Sequence, residues 1–212
     1  MEVQDLHENS LRTSTALARM AMQGLIAPLD VITALNRNKI SFVLVGLHGL
    51  GGWMHEPRAT QDVDVIVGSR HHKKAVRILL DEFRNLEPVE HPAVTRLHYK
   101  ETNQVAIDVM KSDQQLFRDV FKQTEKVRIG REEYRIPCLE MAIAMKFAPM
   151  VRPHRKDEDK YQDAHDFILM VKANPNIDHE KLAELGDSVY SGGGSELLEM
   201  VRRVRAGEKL NL

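Results

Sequence analysis

The chain has a single cysteine, Cys138, among its 212 residues. That excludes an internal disulfide and fits a reducing, cytoplasmic setting. It also lacks any apolar run near the ~20 residues needed to span a bilayer, so no membrane partner is expected. The opening residues, MEVQDLHENS, are acidic and polar and do not read as a signal peptide. Neither charge dominates: 30 Lys and Arg stand against 31 Asp and Glu, a formal net charge of −1. The whole chain therefore has no pull toward nucleic acid or membrane, and any polyanion contact must come from a local patch. There is no internal repeat, no low-complexity tract and no His/Cys spacing suited to zinc. What remains, 42% apolar and 29% charged residues, suits a soluble chain able to bury a core.

The most informative stretch is residues 42–67, FVLVGLHGLGGWMHEPRATQDVDVIV. Phe42 to Val45 is a continuous apolar run of the buried-strand kind, ended by Gly46. Gly49, Gly51 and Gly52 follow closely. They suit either a backbone approached by phosphate or a tight connection between packed elements. Residues 47–55 are compatible with a short helix. A second strand is expected over Asp62–Val67, whose period of two sets Asp62, Asp64 and Ile66 on one face. Two carboxylates on one face of an apolar strand call for compensation, which a divalent cation provides.

The flanking pattern supplies a third acid. Helices are expected over 11–24, 28–38 and 71–85, with residues 1–10 loose. Strands over 95–99 and 104–110 are joined by Glu101-Thr102-Asn103, a hairpin signal that embeds Asp108 in the second strand. Ser112 is placed to cap a helix reaching Phe121, and a second hairpin surrounds Gly130-Arg131-Glu132. From Leu139 the pattern is wholly helical, over 139–150, 157–172, 178–185 and 195–205. The expected organisation is an α/β domain over 1–137 and a helical C-terminal domain over 138–212.

Gly46 after the first strand, the approach Arg58-Ala59-Thr60-Gln61 and the pair Asp62-Val63-Asp64 resemble the nucleotidyltransferase superfamily, the polymerase β-like fold. The R-x-T-x-D-x-D run looks closest to AbiEii-like and related uncharacterised bacterial nucleotidyltransferases. Where the family carries a second glycine or serine, this chain has Leu47. The resemblance implies a mixed sheet with flanking helices followed by a helical bundle. It further implies Mg²⁺ (or Mn²⁺) held by Asp62, Asp64 and Asp108, with Asp108 also activating the acceptor. Gly46 and Arg58 would hold phosphates. From the helical half, Lys146, Arg155, Lys160 and Asp163 would face the nucleotide.

The implied reaction moves a nucleoside monophosphate from a nucleoside triphosphate to an acceptor hydroxyl or phosphate, releasing pyrophosphate. The acceptor class stays open among RNA, protein and small molecules. Two other readings stand beside this one. The first is an AbiEii-like toxin that modifies tRNA or protein and is held by an antitoxin partner. The second is a non-catalytic nucleotide-binding or scaffold domain that keeps the fold, which Leu47 favours.

Overall fold

The structure is a computed structural model and describes residues 2–20, 25–55 and 60–210. The chain divides into two compact units, Met1–Gly52 with Pro57–Pro137 and Trp53–Glu56 with Cys138–Leu212.

The first unit is built on a five-stranded mixed sheet of order β1-β2-β5-β4-β3. The strands are β1 (Phe42–Leu44), β2 (Val63–Val67), β3 (Leu86–Glu90), β4 (Val94–Tyr99) and β5 (Val105–Lys111). β2 and β5 run parallel, and the other pairs are antiparallel. A parallel pair needs a long crossover, and here the chain between them carries α4 (His72–Glu82) and the β3–β4 pair. The core lies along the central strands, where Val43, Leu44, Val65, Ile66, Ile107 and Val109 are fully buried. Helices α1 (Val3–Met20), α2 (Pro28–Arg37) and α5 (Gln115–Val120) belong to this unit's part of the chain, as does α3 (Gly46–Met54) up to Gly52. A hairpin of β6 (Thr124–Ile129) and β7 (Glu132–Pro137) packs on β1, α1 and α2. Gln4 of α1 ties down the hairpin's edge, donating to the Arg128 carbonyl at 2.6 Å and accepting from the Arg128 N–H at 2.9 Å.

Three local expectations change here. Residues 3–10 are not loose but form the start of α1, where His7 and Leu11 are buried one turn apart. Polar residues at buried positions (His7, Ser14, Thr15) hide that stripe from a hydrophobicity pattern. Residue 24, at the end of the helix expected over 11–24, lies outside the described residues. Secondly, β3 occupies a stretch where the sequence shows no strand pattern. It is an outer strand with every residue after Leu86 exposed, and Pro88 is tolerated because an edge strand can do without one N–H. Thirdly, Ser112 caps no helix. α5 starts after Gln114, and the Ser112 hydroxyl meets Ser69 instead.

The second unit is helical: α6 (Leu139–Met150), α7 (Asp157–Ala173), α8 (His179–Val189) and α9 (Gly193–Ala206). α6 is its centre, with Met141, Ala142, Ile143, Ala144 and Phe147 fully buried. A helix that is apolar on all sides is a core helix, and the run MAIAMKFAPM has that composition apart from Lys146. The Phe147 and Tyr190 rings stack with centroids 6.1 Å apart. At the start of α6, Glu140 accepts from the Asp178 N–H at 3.2 Å and from the Lys181 ammonium at 3.2 Å, tying α6 to the first turn of α8. No described helix is long and apolar enough to cross a membrane.

Candidate active site

Asp64 and Asp108 are neighbours because β2 and β5 pair in parallel with Asp64 opposite Asp108. The strand β2 begins at Val63, so Asp62 stands immediately before it rather than within it. Gly46 closes the same corner. Antiparallel pairing of β1 with β2 carries Val45 to the Asp64 carbonyl, where its N–H donates at 2.9 Å. The chain then turns into α3 at Gly46 with φ +56°. A β-carbon on Gly46 would overlap the Asp64 carboxylate at Oδ2. Glycine is thus required twice at this position, for the left-handed backbone and for the space. The later glycines serve packing. A β-carbon on Gly51 would meet the Ser10 hydroxyl, and one on Gly52 would lie 2.5 Å from the His7 ring, so these glycines let α1 approach α3.

Each carboxylate has a distinct environment. Asp108 is 9% exposed. Its Oδ2 lies 3.5 Å from Arg96 Nε, and its Oδ1 is buried with no hydrogen-bond partner among the described residues. Burial pushes the Asp108 carboxyl above the usual aspartate range. Arg96 pulls it down, and the nearby Asp62 charge pushes it up again. Asp62 accepts from the Thr60 hydroxyl. The buried His48 imidazole hydrogen-bonds the backbone of Asp62. Burial lowers this imidazole to about 4 against the attraction of the Asp62 carboxylate.

These donors suit a hard divalent cation. All are carboxylate oxygens, and a buried acceptor without a partner is costly unless something pairs with it. Among the described residues no three His, Cys, Asp or Glu side chains already stand together at metal-ligand spacing. Asp64 and Asp108, adjacent in register, are the members best placed to share an ion, with Asp62 beside them.

Of the residues expected to hold phosphate, Gly46 sits against Asp64, and Arg58 lies outside the described residues. In the second unit the structure brings together Lys146, Arg155 and Asp163, with Asp166 as a fourth member. Lys146 Nζ lies 3.0 Å from Asp163 Oδ1 and 2.8 Å from Asp166 Oδ2. The Arg155 guanidinium lies 2.7 Å from Asp163 Oδ2, an ion pair rather than an aligned hydrogen bond. Burial alone would lower the Lys146 ammonium, but the two carboxylates outweigh it and hold its pKa above the ordinary lysine value. Asp163 and Asp166 are buried, whereas residues 152–159 of the same charge-dense run are exposed. Lys160 is on the same helix and makes no ion pair with another described residue.

No protein-family model matches the chain, and no curated protein matches it. Solved structures do. An antigenic nucleotidyltransferase-like protein from Paracoccidioides brasiliensis matches with 16% identity over 92% of this chain and 93% of that one, at a TM-score of 0.51. The antibiotic-resistance factor ANT(2'')-Ia matches with 12% identity over 85% of this chain and 95% of that one, also at 0.51. The fold is nucleotidyltransferase-like.

Two residues of this site escape a reading of the sequence. His48 looks like any lone histidine, with no signal for its contact with Asp62. Arg96 is hidden by a bulge. The hairpin pairs His98 with Val105, which extrapolates to Arg96 opposite Ile107. A register shift between Leu97 and His98 moves Arg96 opposite Asp108 instead.

Proposed function

We propose that this nucleotidyltransferase-like protein is a transferase that moves a nucleoside monophosphate from a nucleoside triphosphate to an acceptor hydroxyl or phosphate, with release of pyrophosphate. The observation that carries the reading is the corner where Asp64 faces Asp108 across parallel strands and fills the space left by Gly46. The fold shared with nucleotidyltransferase-like proteins supports it.

In this reading Asp62, Asp64 and Asp108 hold Mg²⁺ or Mn²⁺. Such an ion neutralises phosphate charge and lowers the pKa of an attacking hydroxyl. The chain's own residues do the positioning. Gly46 lets the start of α3 pass close to Asp64, where N–H groups of the first turn are offered to phosphate oxygens. Asp108, whose burial makes it a stronger base than an ordinary aspartate, accepts the proton of the acceptor hydroxyl. Arg96 favours the charged form of Asp108 against the burial that opposes it. Thr60 fixes the Asp62 carboxylate. Catalysis of this kind rests on positioning and charge neutralisation. A second reading, a nucleotide-binding domain without catalysis, is favoured by Leu47, which is buried in the first turn of α3 where it adds apolar bulk beside Gly46.

Calorimetric titration of each nucleoside triphosphate, with and without Mg²⁺, into wild type and an Asp62→Asn/Asp64→Asn variant tests the proposal. Mg²⁺-dependent binding that the variant loses is the expected result, followed by transfer of label from the α-phosphate. Binding without any transfer leaves the non-catalytic reading. No binding by folded wild type overturns both.

A further inference from the structure

The start of α4 carries a run of positive charge that the fold does not explain. Between Ser69 and Leu80 stand Arg70, Lys73, Lys74 and Arg77, with no Asp or Glu among them. All four are exposed. Arg70 lies in the 3₁₀ turn Ser69–His71 and the other three on α4. Spacings of three and four residues set them along one side of the helix, in a stripe about 10 Å long. The opposite side of α4 is fixed to the sheet: His72, Ala75 and Leu79 are buried, and the His72 ring bonds the Val109 carbonyl.

These cations do nothing for the fold around them. Elsewhere in the same unit Arg37 and Arg96 are paired with Glu82 and Asp108. None of the four stripe cations forms an ion pair with another described residue. The acids in reach are Asp81, one turn on from Arg77, and Asp113, which accepts from the Ser69 hydroxyl. Like charges three and four apart repel along a helix. Cations also oppose the positive end of the helix dipole, and here the first turn holds no acid and no side chain caps it. Three locally unfavourable choices thus coincide, as they do where a surface serves function rather than folding. Anions laid along the stripe relieve all three.

The length and composition of the stripe narrow the partner. A single phosphate is too small to meet four cations spread over two turns. No large apolar side chain of α4 is exposed, so nothing is offered to a lipid layer. Residues 69–82 contain no Phe, Tyr or Trp on which unpaired bases stack. A duplex presents one phosphate per ~3.4 Å along each strand, so the stripe spans about three of them.

We propose that the exposed face of α4 docks the phosphate backbone of a nucleic-acid duplex without reading its sequence. The stripe follows the end of β2, whereas Asp64 stands near its start. The docking therefore uses none of the carboxylates and stands whether or not the protein is a transferase.

Fluorescence anisotropy tests this, with labelled RNA duplex, DNA duplex and single strand of equal length titrated with the full chain over a salt series. Duplex binding should weaken with salt at a log–log slope of about −3, the release expected for three phosphates. Arg70→Gln/Lys73→Gln/Lys74→Gln/Arg77→Gln should bind about tenfold more weakly or worse at low salt and lose most of that slope. The same variant should resist urea at least as well as wild type, since it removes repulsion, so weaker binding is not failed folding. Arg131→Gln/Lys156→Gln/Lys172→Gln/Lys209→Gln, four exposed cations elsewhere, carries the same net charge and should bind like wild type. The more tightly held duplex, RNA or DNA, names the source. The proposal is overturned if neither duplex binds folded wild type at low salt, or if the stripe variant keeps wild-type affinity and slope. It is equally overturned if the control variant loses as much as the stripe variant, or if single strand, poly-glutamate or anionic vesicles bind more tightly than both duplexes.

Discussion

The Asp64 carboxylate occupies the space that a β-carbon on Gly46 would take. A glycine at the end of one strand and an acid in the next are thereby coupled sterically: no side chain fits at position 46 while Asp64 is in place.

Replacing Gly46 by alanine tests that coupling. The backbone at φ +56° costs a non-glycine residue about 1–2 kcal/mol, and the overlap with Asp64 adds to it. Gly46→Ala should lower stability by more than this backbone cost, as read from urea unfolding. In an Asp64→Gly background, which removes the Asp64 β-carbon as well as the carboxylate, the same change should cost only the backbone share. Equal losses in both backgrounds would show that the two residues do not meet.

Lys146 should be structural as well as charged. Its ammonium is held by Asp163 and Asp166 in a side-chain environment only 15% exposed. Removing one member of a buried ion cluster typically costs ~3–5 kcal/mol because uncompensated charge is left behind. Lys146→Ala should lose stability on that scale. Lys146→Met combined with Asp163→Asn and Asp166→Asn should recover most of it. A Lys146→Ala protein as stable as wild type would refute the buried cluster.

Two buried histidines set a pH dependence. Burial lowers His48 to about 4, and burial also lowers His72, whose ring bonds the Val109 carbonyl at 3.0 Å. The unfolded chain takes up these protons near 6.5, while the folded chain resists. The unfolded state therefore binds more protons below 6.5, and folding stability falls as pH falls from there toward 4. For His48 the full loss is on the order of 3 kcal/mol. Urea midpoints in metal-free buffer should decline across this window, and His48→Phe or His72→Phe should flatten part of the decline. An unchanged slope in both variants would place the dependence elsewhere.

Much of the fold is legible in the residues. The run Phe42–Val45 and the alternation through Val63–Val67 read as strands because the sheet buries them. α6 reads as a helix because its run is long and apolar apart from Glu140 and Lys146. β3 is illegible for the opposite reason: its side chains face solvent, so no burial shapes its pattern. The start of α1 is hidden for a different reason, because its buried stripe includes polar residues.

The sequence by itself determined which chemistry is present: a glycine closing the first strand, carboxylates two apart at the next, a third in a later strand, and a cation inside an apolar helix. Local periodicity suffices for this, since it depends only on neighbours along the chain. Tertiary structure alone decided which of these groups meet. Asp64 faces Asp108 because strands far apart in sequence pair in parallel. Arg96 reaches Asp108 because a bulge shifts one hairpin by a residue. Lys146 is neutralised because α7 packs on α6 and buries Asp163 and Asp166. Register and packing are set by the burial of whole faces at once, and no short stretch of residues carries that information.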